Sequence, residues 1–197
     1  MKPSMASRRT ARPASRTASV APQYVAFLRA INIGNRIVKM DDLKTMFEAM
    51  RFTDVATFIA SGNVIFRGTE EVARLEARIA RGLENALGYP VPAFVRTTDE
   101  VGRIAAFDPF PRSTVGTLYV GFLPSPPGGA PNLAALETPR DRLRVEGREV
   151  YWLCATGMME STVTYARIEK ALGLPATFRN ISTVRRLAAK YSPTRST

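Results

Sequence analysis

The sequence predicts an α+β fold of two packed β-α-β-β-α-β subdomains with an added C-terminal helix, on three observations. Short apolar runs and helical stripes alternate as strand, helix, strand, strand, helix, strand over residues 24–96. A looser version of the same order follows over residues 117–191. The first strand is apolar on both faces, so the face that its own helices leave open needs a cover, and the second half is the nearest one.

Tyr24–Leu28 reads as that first strand, with Val25 and Phe27 on one face and Tyr24, Ala26 and Leu28 on the other. Arg29–Lys39 is a polar loop that turns at Gly34 and Asn35. A helix is expected to start at Asp41 as N-cap, because Leu43, Met46, Phe47 and Met50 recur at i, i+3, i+4 and i+7. Val55–Ile59 and Val64–Phe66 read as strands joined through Ala60-Ser61-Gly62-Asn63, where Gly followed by Asn suits a tight hairpin turn. Thr69–Leu87 is a second helix, with Val72, Leu75, Ile79 and Leu83 in one stripe and Gly88 as its stop. Val91–Arg96 completes the unit, and this order is the ferredoxin-like one.

In the second half, Asp99–Phe107 is a connecting helix that ends before Pro109, and Thr117–Leu123 is a strand. The turn-rich Pro124–Pro131 leads into a short helix at Asn132–Glu137. Arg142–Val145 and Glu149–Cys154 form a hairpin about Glu146-Gly147-Arg148. Ser161–Leu172 reads as a helix headed by Ser161, Thr177–Arg179 as a strand stub, and Asn180–Tyr191 as the last helix. The expected division is a disordered basic tail at 1–22, one subdomain at 23–97 and a second at 98–197.

Composition narrows the chemistry. The chain of 197 residues has no histidine and one cysteine, Cys154, so no internal disulfide forms and zinc sites with several histidine ligands are excluded. Nucleophiles that rely on an imidazole base are excluded for the same reason. No apolar run reaches membrane-spanning length, and the lone cysteine fits the reducing cytoplasm. The net charge is +11, of which Lys2, Arg8, Arg9, Arg12 and Arg16 supply +5 and the remaining 175 residues +6. Such a surplus favours anionic partners, from phosphate metabolites to nucleic acid. The Arg- and Ser-rich first 22 residues also fit a transit peptide or a basic arm.

Several stretches carry a family resemblance: LRAINIGN at Leu28–Asn35, KMDDLKTMFEAMRFTDVATFIASGNVIF at Lys39–Phe66, REVYWL at Arg148–Leu153 and LPATFRNISTVRRLAA at Leu174–Ala189. Over residues 24–191 the chain resembles the bacterial family catalogued as domain of unknown function 1697. The resemblance implies two packed ferredoxin-like subdomains and no established activity. The family usually has Arg-Gly where this chain has Arg29-Ala30, and a glycine pair where it has Gly34-Asn35. Ser161-Thr162-Val163-Thr164 replaces the family's usual Ser-Lys-Leu-Thr, which removes a lysine suited to phosphate.

The candidate site residues cluster at strand ends. Arg29 opens the first polar loop, where a guanidinium can clamp a carboxylate or phosphate, with Asn32 and Asn35 adding hydrogen bonds. The competing reading pairs Arg29 with Asp41 or Asp42. Ser61, Gly62 and Asn63 offer a hydroxyl, a backbone of close approach and an amide, or serve only the hairpin turn. Arg179 and Asn180 precede the last helix and suit an anion, although Asn180 also reads as a plain N-cap. Trp152 and Cys154 read as core, and Met158 and Met159 as packing.

The leading expectation is a small anionic ligand in the groove between the subdomains. A nucleic-acid binder is the alternative, although no run of exposed aromatics of the base-stacking kind is visible. An enzyme using carboxylates or Mg²⁺ is a further alternative that no Asp/Glu cluster supports. No cofactor is predicted.

Overall fold

The computed structural model describes residues 21–32, 37–59, 62–111, 115–128 and 133–192. The segment read as a basic tail lies outside these residues except for Ala21 and Pro22, and so do Gly34, Asn35 and Ser61. The elements run β1 Gln23–Leu28, α1 Met40–Ala49, β2 Thr53–Thr57, β3 Asn63–Arg67, α2 Val72–Leu87 and β4 Ala93–Thr97. They continue as α3 Thr98–Ala106, β5 Thr117–Phe122, a one-turn 3-10 helix Ala134–Leu136, β6 Asp141–Glu146, β7 Glu149–Cys154, α4 Tyr165–Leu172, β8 Thr177–Asn180 and α5 Ile181–Tyr191.

Two four-stranded antiparallel sheets result, ordered β2-β3-β1-β4 and β6-β7-β5-β8. Each places its first strand between its third and fourth, which is the ferredoxin-like arrangement expected from the sequence. The 3-10 helix takes the place of the first crossover helix in the second sheet.

The pleat of β1 explains how the sheets meet. Tyr24, Ala26 and Leu28 pack under α1 and α2 with Leu43, Phe47, Leu75, Ile79 and Leu83. Val25 and Phe27 point the other way, into a core shared with Val120, Phe122 and Tyr151 of the second sheet and with α3 and α5. At its centre the rings of Phe27 and Phe122 stack with centroids 3.7 Å apart. Burying each ring contributes about 1.5–3 kcal/mol, which a solvated sheet face would forgo. The far side of the second sheet is closed by Trp152, Cys154, Val163, Ile168 and Leu172.

Helix starts depart from the sequence reading at α1, α2 and α4, and α2 begins at Val72 rather than Thr69, with Glu71 as its N-cap residue. Lys39, not Asp41, is the N-cap residue of α1, without a side-chain cap, and Asp41 and Asp42 lie in the first turn, where they suit the helix dipole. Thr164 rather than Ser161 caps α4, accepting from Arg167 N. Ser161 donates instead to buried Asp141 at 2.8 Å, which also accepts from Trp152 Nε1. Two expectations for side chains resolve oppositely. Trp152 and Cys154 are buried, whereas Met158 and Met159, expected to pack, are 38% and 93% exposed. The stop at Gly88 holds, with φ at +77°.

Candidate functional site

Two arginines cross between the sheets, and they do so at equivalent registers. Arg96 of β4 lies opposite Val25 of β1, and Arg179 of β8 lies opposite Val120 of β5. Arg96 Nη2 donates to the carbonyls of Leu123 and Arg148, and Arg179 Nη2 to those of Leu28 and Gly62. Arg96 Nε donates to Glu149 Oε1 at 2.6 Å, and Arg179 Nε to Asn63 Oδ1 at 2.7 Å. Glu149 begins β7 as Asn63 begins β3. The guanidiniums lie against the stacked rings, Arg96 on Phe122 and Arg179 on Phe27. A pseudo-twofold relation through the Phe27–Phe122 stack therefore repeats each contact.

One contact differs in charge. Arg96 meets the Glu149 carboxylate and has Glu76 at 3.9 Å. Arg179, 9% exposed, makes five hydrogen bonds, adding Thr177 Oγ1 and the Phe178 carbonyl to those named above, and every acceptor is neutral. Burial lowers its pKa to about 10, and still it stays protonated at neutral pH. Among the described residues no carboxylate bonds this buried cation.

A cleft of about 570 Å³ opens beside it, between the exit of β1 (Leu28–Asn32), the first turn of α4 and strand β8. This volume lies in the usual range for a small-molecule site. Arg29 stands at the rim and pairs with Glu169 of α4 at 3.1 Å, not with Asp41 or Asp42. Among the described residues this is the only bond of its side chain, so most of its N–H groups are open to a ligand. Glu169 is held from behind, its Oε1 accepting from Ala176 N at 2.7 Å. Tyr165, one turn before Glu169, stacks on Phe178 with centroids 4.1 Å apart. Phe178 can lie flat there because its neighbour in β5 is Gly121, whose absent Cβ would come within 2.6 Å of it. Burial, with Tyr119 nearby and Arg179 opposing, pushes the Tyr165 phenol up to about 12, which keeps it a hydrogen donor. That hydroxyl has no hydrogen-bond partner among the described residues.

Of the residues singled out from sequence, the cleft brings together Arg29, Asn32 and Arg179. Asn32 also ties its loop, accepting from Val38 N at 2.8 Å. Gly62 and Asn63 lie behind the wall as acceptors for Arg179. Gly62 has φ +70° and a Cβ there would meet Ile31 at 2.6 Å, so the turn needs glycine. Asn180 caps α5 through Ser182 N and does not line the cleft. Asn35 and Ser61 lie outside the described residues. Ala30, where the resemblance implies glycine, takes φ +58° at the rim. Tyr165, Glu169, Thr177 and Phe178 are among the cleft residues that sequence reading does not single out. Among the described residues no group of three or more Asp, Glu or Cys is placed to hold a metal ion, and no helix is long and apolar enough to cross a membrane.

Residues 22–151 match the family described as Protein of unknown function (DUF1697). A solved structure of a conserved bacterial protein from Streptococcus pneumoniae superposes with a TM-score of 0.67 at 15% identity, covering 88% of this chain and 100% of that one. At that identity the likeness is one of fold. Among curated proteins no match is found.

Proposed function

The chain belongs to the DUF1697 family of proteins of unknown function, and from the chemistry of its inter-sheet cleft we propose that it binds a small anionic ligand, bearing phosphate or carboxylate, there. The observation that carries this reading is the pairing of two unequal arginines on one cavity. Arg29 offers open N–H groups at the rim, while Arg179 supplies a buried positive charge that no carboxylate among the described residues pairs with. An anion held on Arg29 is stabilised by charge-assisted hydrogen bonds and by the field of Arg179, in a site partly shielded from water. Arg179 itself is saturated with internal acceptors, so its part is electrostatic and structural.

The test is a thermal-shift screen of nucleotides, sugar phosphates and carboxylate metabolites, followed by titration of the hits. Arg29→Ala is expected to weaken a true ligand roughly 10- to 100-fold, the worth of hydrogen bonds to a charged group. Hits whose affinity is the same in Arg29→Ala would overturn the reading.

A second reading, nucleic-acid binding, is favoured by one observation on α5. The helix carries exposed Arg185, Arg186 and Lys190 and no acid. Arg186 lies 5.3 Å from the ring centre of Phe58 and Lys190 5.2 Å from that of Tyr191, so cations and aromatics interleave as on single-strand binders. The sheet faces that serve other ferredoxin-like proteins as RNA platforms are buried against each other here. Fluorescence polarisation with a labelled oligonucleotide checks this reading. Affinity untouched by Arg186→Ala with Lys190→Ala would remove α5 from consideration.

A further inference from the structure

The one carboxylate among the described residues of the cleft narrows the ligand class. Glu169 is fixed on both oxygens: Oε1 by the Ala176 N–H at 2.7 Å and Oε2 by Arg29 at 3.1 Å. Its anchor on the backbone of the β8 approach keeps it in the cleft wall when Arg29 turns to a ligand. A carboxylate accepts about four hydrogen bonds, and two of these are used. Its side chain is 19% exposed and lines the cleft, so a ligand there can reach it. A bare anion seated on Arg29 therefore lies against a second negative charge that cannot withdraw.

Resting on the anion-binding reading above, we propose that the ligand is zwitterionic: a phosphate monoester or comparable oxyanion for Arg29, with an ammonium group close by for Glu169. The lining charges match this pattern, with Arg29 and Arg179 positive and Glu169 negative. A phosphate monoester carries about −1.5 to −2 at neutral pH, and an added ammonium brings the ligand near −1, opposite to the net +1 of the three side chains. The Tyr165 hydroxyl, one helical turn from Glu169 on the same face of α4, supplies a further donor for a phosphate oxygen. Glu169 is thus a specificity-determining residue. It penalises simple anions and is repaid only by those with a neighbouring cationic donor.

The experiment is a cycle of two probes and two proteins, read by isothermal titration on the full chain at pH 7.5 and constant ionic strength. The probes are ethyl phosphate and O-phosphoethanolamine, which differ by the ammonium group. The proteins are wild type and Glu169→Gln, in which the amide oxygen still accepts from Ala176 N. Wild type is expected to bind O-phosphoethanolamine roughly 5-fold or more tightly than ethyl phosphate, the upper range for a partly exposed ion pair. In Glu169→Gln the preference is expected to fall below about twofold, with ethyl phosphate binding more tightly than to wild type. A preference equal in the two proteins, or wild type favouring ethyl phosphate, overturns the zwitterion proposal and leaves anion binding standing. Failure of both probes to bind either protein overturns the anion site and this proposal with it. A melting temperature of Glu169→Gln within a few degrees of wild type shows that the comparison is between folded proteins.

Discussion

Replacing Glu149 tests how the buried arginines are tolerated, and the molecule contains its own control. Arg96 is 1% exposed, and Glu149 is its nearest counter-charge at 2.6 Å. Removing one partner of a buried pair typically costs about 3–5 kcal/mol, because the other charge is left uncompensated. Glu149→Ala is expected at the lower end, about 3 kcal/mol, since Glu76 stays at 3.9 Å and three backbone carbonyls still accept from Arg96. Glu149→Gln keeps an acceptor for Nε and reproduces what Asn63 does for Arg179 at the equivalent register. Its expected cost is about 1–2 kcal/mol, that of exchanging a charge-assisted hydrogen bond for a neutral one. At about 2–4 °C per kcal/mol for a chain of this size, the melting temperatures should fall by roughly 6–12 °C for Ala and 2–8 °C for Gln. Urea unfolding should give the same order with unchanged m-values, and the gap should persist in high salt because the pair is buried. If Gln proves as damaging as Ala, or Ala costs less than about 1 kcal/mol, the argument from equivalent registers fails.

Two further outcomes follow from single residues. Burial raises the Asp141 carboxyl, but hydrogen bonds from Ser161, Trp152 and Thr138 outweigh it and hold the pKa below the ordinary carboxylate range. The stability this adds is complete above the unfolded pKa, near 4, and is lost as pH falls through the lower folded value. Asp141→Asn should therefore unfold about 1.5–3 kcal/mol more easily at pH 7, with the gap to wild type closing below about pH 4. A gap that stays constant from pH 7 to pH 3 would refute the assignment. Ala30→Gly should leave stability unchanged or raise it by up to about 1 kcal/mol, since a left-handed alanine costs about 1–2 kcal/mol and glycine's extra chain entropy offsets about half. A loss beyond about 1 kcal/mol, measured by urea unfolding, would show that the Ala30 methyl packs usefully at the cleft rim.

The sequence made the fold legible because the fold depends on local periodicity. The stripe Leu75, Ile79, Leu83 and the stop at Gly88 mark α2 without outside information. The double apolarity of β1 announced a second layer, since Val25 and Phe27 had no other means of burial. The site was less legible because its contacts are long-range. Arg29 was visible as a cation after a strand, but Glu169 lies 140 residues away and nothing local distinguishes it from a solvated helix charge. Tyr165 serves both the core of the second sheet and the cleft wall, a double placement that no local pattern marks. Arg179 was visible for the wrong reason: its donors close the sheet-to-sheet junction rather than wait for a ligand. Arg96 was missed, although one signal was present. Aligning the last strands of the two halves, AFVRT and TFRN, would have set Arg96 against Arg179 and shown both as parts of one repeated device.

That device explains why, among the described residues, only one side of the junction keeps a buried arginine with no carboxylate bonded to it. Both arginines reach across the same phenylalanine stack, take the carbonyl after the facing phenylalanine, and need a further acceptor at the start of the third strand. Where the chain supplies Glu149, the charge is neutralised internally and the neighbouring cavity, about 340 Å³, is lined by Glu100, Glu146 and Glu149. Where it supplies Asn63, the geometry is kept and the charge is left over. A buried cation with no carboxylate bonded to it among the described residues is costly to fold around, and Asn63 also donates from Nδ2 to the Phe58 carbonyl at 3.1 Å, a bond that a carboxylate in its place would lose. Asn63 beside an open cleft with Arg29 at its rim leaves a positive charge on Arg179 that the anionic ligand proposed above would meet. Asn63→Asp should give Arg179 a charged acceptor at the cost of the Phe58 hydrogen bond, and weaken anion binding in the cleft, measured by titration, without removing Arg29.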